Sequence, residues 1–297
     1  MITGAHGQLG RCLTEQLERS SGHRLVAALG HEALDIADGE ACRRSLEGLS
    51  GGLPTVLVNA AAFTKVDLCE TEPEEAERIN AFAPGEMAKS CQEHGVRFVH
   101  LSTDYVFDGM LGRPYTEEDL PSPQSVYGRS KLGGERRVLA ADPSALVIRT
   151  SWLFGPGRNF VRSMIEQGEA RRRAADPSPL RVVADQFGSP TYAGDLAVAL
   201  IGLVERGARG LYHVSNQGVA TWWDVAREAL DRTGFPELAL EKVRTQDFPR
   251  PAPRPAYAVL DCRRAERLGV HLRDWRQALV AYLSTESARR SVLERIK

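Results

Sequence analysis

Short apolar runs alternate with amphipathic stretches along most of the chain, and this alternation restricts the fold more than any other feature. The apolar runs are RLVAAL (24–29), TVLVNA (55–60), RFVHLS (97–102), ALVIRTSWLF (145–154) and GLYHVSN (210–216). Helical patterns occupy residues 9–19, 39–49, 74–94, 127–140 and 194–206. The runs near residues 56, 98 and 147 are apolar almost throughout, as expected for strands covered on both faces. The alternation therefore predicts an α/β fold with a doubly wound, parallel sheet.

The last third of the sequence has a different texture and predicts a smaller second domain. A helix after Thr221 is followed by a proline-rich stretch (248–261) and by a helical region from Trp275. We expect Trp222 and Trp223 to pack this first helix. The predicted domains are a Rossmann-type domain at 1–154, to which 193–216 returns, and a mainly substrate-binding domain at 155–297.

Composition argues against several functional classes. The 297 residues are 42% hydrophobic and 26% charged, and the net charge of −1 gives no field that would attract nucleic acid or membrane. The run Arg171-Arg172-Arg173 is interpreted as a solvated helix end. Five widely spaced cysteines indicate reduced thiols and a cytoplasmic location, and neither a signal peptide nor an apolar run of ~20 residues is found.

Three glycines open the chain in the pattern Gly-x-x-Gly-x-x-Gly, at Gly4, Gly7 and Gly10. In a phosphate-binding loop the first glycine permits a tight turn, the second lets the backbone approach a pyrophosphate, and the third lets helix and strand pack closely. Only Met1, Ile2 and Thr3 precede this loop, whereas a buried strand commonly has ~5–6 residues. We expect added apolar residues at this end to raise the melting temperature.

The end of the second strand bears on the choice of cofactor. An acidic residue there would bind the ribose 2′-hydroxyl of NAD and repel a 2′-phosphate. Gly30 and His31 occupy this tip, and Glu32 lies one position beyond it. The sequence therefore favours NADP(H) over NAD.

Two segments carry candidate chemistry, STDYVFDG (102–109) and YGRSK (127–131). Tyr127 and Lys131 are four residues apart and share one face of a helix. A lysine ammonium favours phenolate, so we expect Lys131 to lower the pKa of Tyr127. Thr103 can hydrogen-bond a substrate oxygen. A proton donor, its partner and a carbonyl polariser are thus predicted beside a hydride carrier.

These motifs resemble those of the extended short-chain dehydrogenase/reductases, and within them the branch that reduces dTDP-4-dehydrorhamnose. GAHGQLG (4–10) and YGRSKLGGE (127–135) are shared across that superfamily, whereas TDYVFDG (103–109) with DQFGSPT (185–191) is more specific to the branch. The resemblance covers nearly the whole chain. It implies that NADPH reduces the C4 ketone of dTDP-4-dehydro-β-L-rhamnose to give dTDP-L-rhamnose, the last step of dTDP-rhamnose biosynthesis.

The resemblance also implies roles for individual residues. Tyr127 would be the proton donor, Lys131 its partner, and Thr103 the group that orients the ketone. Asp104 and Trp152 would contact the sugar, although a turn cap and core packing remain open for them. The residues expected at the cofactor are Gly4, Gly7, Gln8, Leu9, Gly10, Asp35, Ile36, Ala60, Ala61, Ala62, Ser102, Tyr127 and Lys131.

Some members of this branch bind Mg²⁺ at a subunit contact, with an acidic residue in the first helix. Cys12 stands near the expected position here, so no metal site is predicted. A homodimer is possible. Two rival functions stay open: a nucleotide-sugar epimerase or dehydratase that holds NAD⁺ tightly, and a non-catalytic regulatory subunit that binds a dinucleotide.

Overall fold

A parallel six-stranded sheet lies at the centre of the molecule, as the strand–helix alternation predicts. The computed structural model describes residues 1–47, 49 and 54–296. Its strands are β1 (Ile2–Thr3), β2 (Ala28–Leu29), β3 (Val56–Asn59), β4 (Arg97–Thr103), β5 (Leu146–Thr150), β6 (Leu153–Phe154), β7 (Leu180–Val183), β8 (Phe187–Gly188), β9 (Thr191–Tyr192), β10 (Gly210–His213), β11 (Ala220–Thr221) and β12 (Leu240–Val243). The central sheet has the order β10-β5-β4-β3-β1-β2, and all its neighbours are parallel.

Helices connect these strands. They are α1 (Gln8–Glu18), α2 (Gly39–Leu46), α3 (Val66–Cys69), α4 (Pro73–Glu77), α5 (Ala83–Glu93), α6 (Val126–Ala141), α7 (Phe160–Ala174), α8 (Ala193–Glu205), α9 (Trp222–Arg232), α10 (Arg263–Glu266) and α11 (Trp275–Ile296). A π-helical turn (Arg78–Phe82) joins α4 to α5, and 3-10 turns cover Asp104–Val106 and Thr245–Asp247. No helix in the described part of the chain has both the length and the hydropathy that a membrane span needs.

Both faces of the sheet are covered, which explains the continuous apolar runs. In β5, Leu146 and Ile148 pack toward α1 and α8, whereas Val147 packs toward α2 and α5. All three side chains are fully buried. Because side chains alternate between the faces of a strand, a strand covered on both sides is mostly apolar in its middle.

Two predicted strands differ from the observed ones. The run 24–29 forms a strand only at β2, and the run 145–154 is split into β5 and β6 by Ser151 and Trp152. Trp152 has a φ of 45°, which ends the extended conformation. The predicted helix 74–94 contains the π-helical turn, and the predicted helix 39–49 ends at Leu46, with Gly48 outside the described residues.

A second apolar cluster lies beside the sheet, between α7, α9 and α11. Thr221 and Asp224 form a capping box that begins α9, and the predicted arginine run lies in the last turn of α7. The short pairs β12–β7, β11–β8 and β6–β9 surround this cluster. The chain then adds β10 to the edge of the central sheet beside β5. The division into two domains stays a prediction.

Candidate active site

A cavity of about 800 Å³ opens at the carboxyl ends of the central strands. Its walls include Gly7 after β1, Ala60 after β3, Thr103 at the end of β4 and Thr150 at the end of β5. The chain runs from β1 to β2 on one side and then crosses back to β3 on the other side of β1. The cavity therefore lies at a topological switch point. Open α/β sheets bind ligands at such points. The volume is within the range of small-molecule sites.

Each of the three positions in the opening loop favours glycine for a different structural reason. Gly4 has a φ of 70°, and an added Cβ would lie 2.5 Å from the nitrogen of Ala61. A Cβ at Gly10 would overlap the carbonyl oxygen of Gly4, so this glycine allows close packing of α1 on the loop. A Cβ at Gly7 would meet only that same oxygen, at 3.2 Å, and Gly7 lines the cavity. The loop therefore leaves room for a ligand at its middle glycine.

The first turn of α1 offers donors to this space. Gly7 caps the helix without a side-chain hydrogen bond, and the first turn contains no acidic residue. The first N–H groups of a helix have no partner within it and favour an anion. Within the described residues, Gln8 Oε1 and Thr150 Oγ1 are buried without a hydrogen-bond partner, and both residues line the cavity. The loop and these two orphaned atoms fit a dinucleotide.

The far end of the cavity lies beyond β2. Gly30, His31, Asp35 and Ile36 line it, whereas the side chain of Glu32 is 87% exposed. Asp35 accepts a hydrogen bond from the backbone of Ala37 at 3.0 Å, an arrangement that shapes the turn before α2. The tip of β2 therefore presents a glycine and a histidine to the cavity, as the sequence predicts.

Tyr127, Lys131 and Thr103 meet at the opposite end of the cavity. Ser125 caps α6 by accepting from the backbone of Gly128 at 3.1 Å, so Tyr127 stands in the first turn and Lys131 follows one turn later. The hydroxyl groups of Tyr127 and Thr103 are hydrogen-bonded. All three side chains line the cavity and are buried. The structure thus brings the predicted catalytic residues together.

The lowering effect expected from Lys131 does not decide the pKa of Tyr127, whose net shift in this structure is upward. Burial raises the pKa of Tyr127 above its ordinary value, Asp104 raises it further, and the hydrogen bond with Thr103 opposes both. Lys131 instead donates from Nζ to the carbonyl oxygen of Leu101 at 2.6 Å. Burial lowers the pKa of Lys131 to about 8. The phenol is therefore held in its neutral form, the form that can donate a proton.

Asp104 is a buried carboxylate beside this pair. Its Oδ1 accepts from the Thr103 hydroxyl and its Oδ2 accepts from the Ser151 hydroxyl, each at 2.9 Å. Burial nevertheless raises the pKa of Asp104 to about 6. Asp104 also lines the cavity, so it stands where a polar ligand can meet it.

Ser102 lines the cavity, but its hydroxyl points elsewhere. It donates to Glu135 Oε1 at 2.5 Å. Glu135 forms a bidentate ion pair with Arg149, with both side chains at most 4% exposed. This pair was missed from the sequence because its members belong to different elements, α6 and β5. It fixes the ends of β4 and β5 under the cavity.

Aromatic rings form the wall next to the catalytic residues. Trp152 stacks on Trp222, with ring centroids 3.7 Å apart, and Phe160 packs against Trp222. All three line the cavity. The interpretation that Trp222 only packs its helix is therefore incomplete. Of the two tryptophans, only Trp223 serves for packing as predicted, with its ring against the ammonium of Lys242.

The structure gathers nearly all predicted ligand-contacting residues around one cavity. Those that line it are Gly4, Gly7, Gln8, Leu9, Asp35, Ile36, Ala60, Ala61, Ala62, Ser102, Thr103, Asp104, Tyr127, Lys131 and Trp152. Gly10 is the exception, since it packs under the loop. Residues missed from the sequence include Thr150, Phe160 and Trp222, to which no role at the site was assigned.

The described residues contain no group of three or more His, Cys, Asp or Glu side chains that could hold a metal ion. Cys12 is buried in α1, and the structure gives all five cysteines as free thiols. The prediction that the protein binds no metal stays a prediction.

Comparison with known proteins identifies the family. Residues 1–288 match the family described as the RmlD substrate binding domain. The chain belongs to the RmlD substrate binding domain family. This match covers the glycine loop, the three predicted catalytic residues and the aromatic wall alike.

Relatives of this RmlD-family chain include proteins with two different names. A dTDP-4-dehydrorhamnose reductase of Mycolicibacterium smegmatis is 44% identical over 285 residues, which are 94% of this chain and 83% of the relative. A probable dTDP-4,6-dihydroxy-2-methyloxan-3-one 4-ketoreductase of Streptomyces antibioticus is 45% identical over 283 residues, 94% and 92% of the two chains. The crystal structure of the Bacillus anthracis dTDP-4-dehydrorhamnose reductase in complex with NADP superposes with a TM-score of 0.87, at 33% identity, covering 96% of this chain and 98% of that one.

Proposed function

We propose that the protein is a dTDP-4-dehydrorhamnose reductase. It reduces the C4 ketone of dTDP-4-dehydro-β-L-rhamnose with NADPH and yields dTDP-L-rhamnose. The observation that carries this proposal is the meeting of Tyr127 and Thr103 in the same cavity as the glycine loop. A proton donor and a dinucleotide cradle that share one cavity suit a ketone reductase.

The residues that would hold the cofactor follow the floor of the cavity. The N–H groups at the start of α1 would hold the pyrophosphate, and Gly7 leaves space for it. Asp35 and Ile36 would border the adenine, and Ala60 to Ala62 would lie along the middle of the cofactor. When bound, NADPH supplies the hydride that reduces the ketone carbon.

The protein's own residues supply the proton and hold the ketone. Tyr127 is neutral because burial raises its pKa, so it can donate its proton to the C4 oxygen. An alkoxide that develops on this oxygen is a stronger base than phenolate, and the transfer is therefore favourable. Thr103 donates a second hydrogen bond to the oxygen once its single hydroxyl proton turns away from Asp104 Oδ1, to which it donates in the free protein. The Lys131 ammonium stabilises the phenolate that remains.

The preference for NADPH rests on the tip of β2. Gly30 and His31 line the cavity there, and the carboxylate of Glu32 points to solvent. A 2′-phosphate at the tip would meet Gly30 and His31, and His31 can donate to it. The carboxylate of Asp35, which lines the same end of the cavity, lies 3.7 Å from the guanidinium of Arg78. NADH is expected to bind more weakly because it lacks the phosphate.

A second candidate substrate is a related dTDP-linked keto sugar. The Streptomyces antibioticus relative is as similar to this chain as the Mycolicibacterium smegmatis one, yet its name gives a different sugar. Both reductions need the same proton donor and hydride carrier. We expect the choice between the two sugars to depend on the aromatic wall, which includes Trp152, and on Asp104.

The test is consumption of NADPH by the purified protein with each dTDP-keto sugar in turn, with the product identified by mass and NMR. The proposal predicts sugar-dependent oxidation that is fastest with dTDP-4-dehydro-β-L-rhamnose. Faster turnover of the other sugar would favour the second candidate. An epimerase or dehydratase would instead retain NAD⁺ and show no net oxidation, and a regulatory subunit would bind the dinucleotide without turnover.

We also infer a cytoplasmic location, supported by the five free thiols, since reduced cysteines persist in that compartment. A homodimer is part of the same proposal and is tested by the mass of the protein in solution. A monomer that turns over the sugar at full rate would remove the dimer from the proposal.

A further inference from the structure

The conformation of Trp152 has to be maintained by its surroundings. Trp152 has a φ of 45° and separates β5 from β6. A bulky residue in this left-handed region is an outlier whose strain persists only where neighbouring groups over-determine it. Its carbonyl oxygen accepts from the backbone of Thr191 at 3.2 Å, which fixes the main chain but leaves the indole to be held by other residues.

The first such residue is Trp222. Its ring lies 3.7 Å from that of Trp152, centroid to centroid, and the two planes differ by 5°. Trp222 is the first residue of α9 and lies between Thr221 and Asp224, the two members of the capping box, so its backbone is well fixed. The stack covers one face of the Trp152 indole.

The second such residue holds Trp222 itself. Nε1 of Trp222 donates to Oε1 of Gln186 at 3.0 Å, and Nε2 of Gln186 donates to the hydroxyl of Thr245 at 3.0 Å. Thr245 in turn donates to Asp185 from its backbone and its hydroxyl. This chain of hydrogen bonds prevents the indole of Trp222 from rotating about its own axis.

The third residue is Gly188, which packs directly on Trp152. A Cβ at Gly188 would lie 2.6 Å from Nε1 of Trp152 and would overlap Cε2. Cδ2, an atom of the ring fusion, is also within 2.8 Å, so the backbone of Gly188 lies against the body of the indole. A side chain at this position would push Trp152 out of its place.

We propose that Gln186, Gly188 and Trp222 are positioning residues that hold the Trp152 indole as a wall of the sugar pocket. Gln186 and Gly188 act through Trp152, which lines the cavity. The segment DQFGSPT (185–191) thereby influences the affinity for the keto sugar indirectly, through the position of Trp152. The inference rests on the proposed function, since the sugar is the substrate named there.

The stack itself is tested on the free protein by circular dichroism. Two stacked indoles at this separation couple, and they give an exciton couplet in the far ultraviolet when their transition moments are rotated relative to each other within the stack. Trp222→Leu and Trp152→Leu should each abolish the couplet. Trp223→Leu is the matched control. The indole that it removes belongs to the same helix but packs against Lys242, so the couplet should remain.

The functional part is tested by steady-state kinetics with dTDP-4-dehydro-β-L-rhamnose. Trp222→Leu should raise the KM for the sugar about tenfold, with kcat changed less than about threefold. Gly188→Ala should have the same effect, Trp222→Phe should recover part of the loss, and NADPH affinity should stay unchanged in all three. Trp223→Leu should keep the wild-type KM.

Opposite results separate this inference from the proposed function. Equal changes of KM, kcat and melting temperature in Trp222→Leu and Trp223→Leu would show a structural role only and overturn the inference. A couplet that survives Trp222→Leu would do the same. If the wild-type protein shows the couplet but oxidises no NADPH with the sugar, the proposed function fails while the stack stands. Titration with dTDP-L-rhamnose then tests the wall: weaker binding only in Trp222→Leu supports it, and equal binding overturns it.

Discussion

The two ends of the cavity are built in different ways. The cofactor end is made mainly of backbone: the glycine loop, the first turn of α1 and the alanines after β3 lie within short stretches of sequence. The sugar end is made of side chains that come from distant elements, with Trp152 between β5 and β6 and Trp222 at the start of α9. The first end can therefore be inferred from local motifs, and the second depends on tertiary packing.

The same difference applies to the electrostatics. At the cofactor end, the N–H groups of the helix N-terminus favour an anion. At the chemical end, burial dominates: it raises the pKa of Tyr127 and Asp104 and lowers that of Lys131. A binding end that tolerates charge thus adjoins a reacting end that penalises it, and variants of the two ends should fail in different ways.

The largest effect is expected at the reacting end, from Tyr127→Phe. Loss of the proton donor should lower kcat by about 10²–10⁴-fold while NADPH still binds with wild-type affinity. Stopped-flow or steady-state oxidation of NADPH with the sugar measures this. Tyr212→Phe is the control, since Tyr212 is a buried tyrosine of β10 in the sheet core, and it should retain turnover. Comparable rates for Tyr127→Phe and wild type would refute the role of Tyr127.

Two glycine variants should separate binding from folding at the cofactor end. Gly7→Ala places a methyl group in the space for the pyrophosphate and should weaken NADPH binding about tenfold or more, with little change in melting temperature. Gly4→Ala strains a residue at φ 70° and should cost roughly 1–3 kcal/mol of stability. NADPH fluorescence titration and thermal melts measure the two effects. The opposite pattern would mean that the loop roles are exchanged.

The pH dependence of cofactor binding should report Lys131. Burial lowers its pKa to about 8, so the ammonium form is lost as the pH rises through that value. Affinity for NADPH should therefore fall above pH ~8, and Lys131→Met should bind weakly and without this dependence. Lys131→Arg keeps the charge and should move the fall to higher pH. NADPH binding by the wild-type protein that stays constant from pH 6 to 10, roughly two pH units on either side of this pKa, would argue against a charge contact from Lys131.

The last prediction concerns stability and Asp104. Its pKa is raised from 3.8 to about 6, so the folded state holds more protons than the unfolded state between these values. Stability from this group is therefore present below pH ~4 and lost as the pH rises through ~6. Asp104→Asn should remove this loss of stability. The free energy of unfolding should rise by up to about 3 kcal/mol at neutral pH and stay unchanged at pH ~4. Urea denaturation at both pH values measures it; an equal change at both would locate the effect in packing instead.

Much of the fold could be predicted because its signals are local. The apolar runs at β3, β4 and β5 reflect burial on both faces, and the spacing of Tyr127 and Lys131 places them on one helix face whatever surrounds them. Trp222 could not be placed, because an indole at the start of an amphipathic helix packs equally well in a core or in a cavity wall. The break of the long apolar run at Trp152 has no local signal either, since the sequence there favours a strand throughout.

The sign of the pKa shift at Tyr127 was missed for a related reason. The spacing of Tyr127 and Lys131 gives their shared helix face but not the depth of burial or the partner of the ammonium. In the structure, Lys131 donates to the carbonyl of Leu101, and burial outweighs the expected charge effect. Distance along a helix can be inferred from sequence, whereas desolvation depends on elements that are far apart in the chain.

The most direct test of the central claim is a single turnover. The purified protein is mixed with one equivalent of NADPH, excess dTDP-4-dehydro-β-L-rhamnose is added, and NADPH absorbance is followed together with the formation of dTDP-L-rhamnose. If the protein is the proposed reductase, one NADPH is oxidised for each sugar reduced, and Tyr127→Phe binds NADPH but leaves it reduced. A folded wild-type protein that binds both ligands and oxidises no NADPH would contradict it.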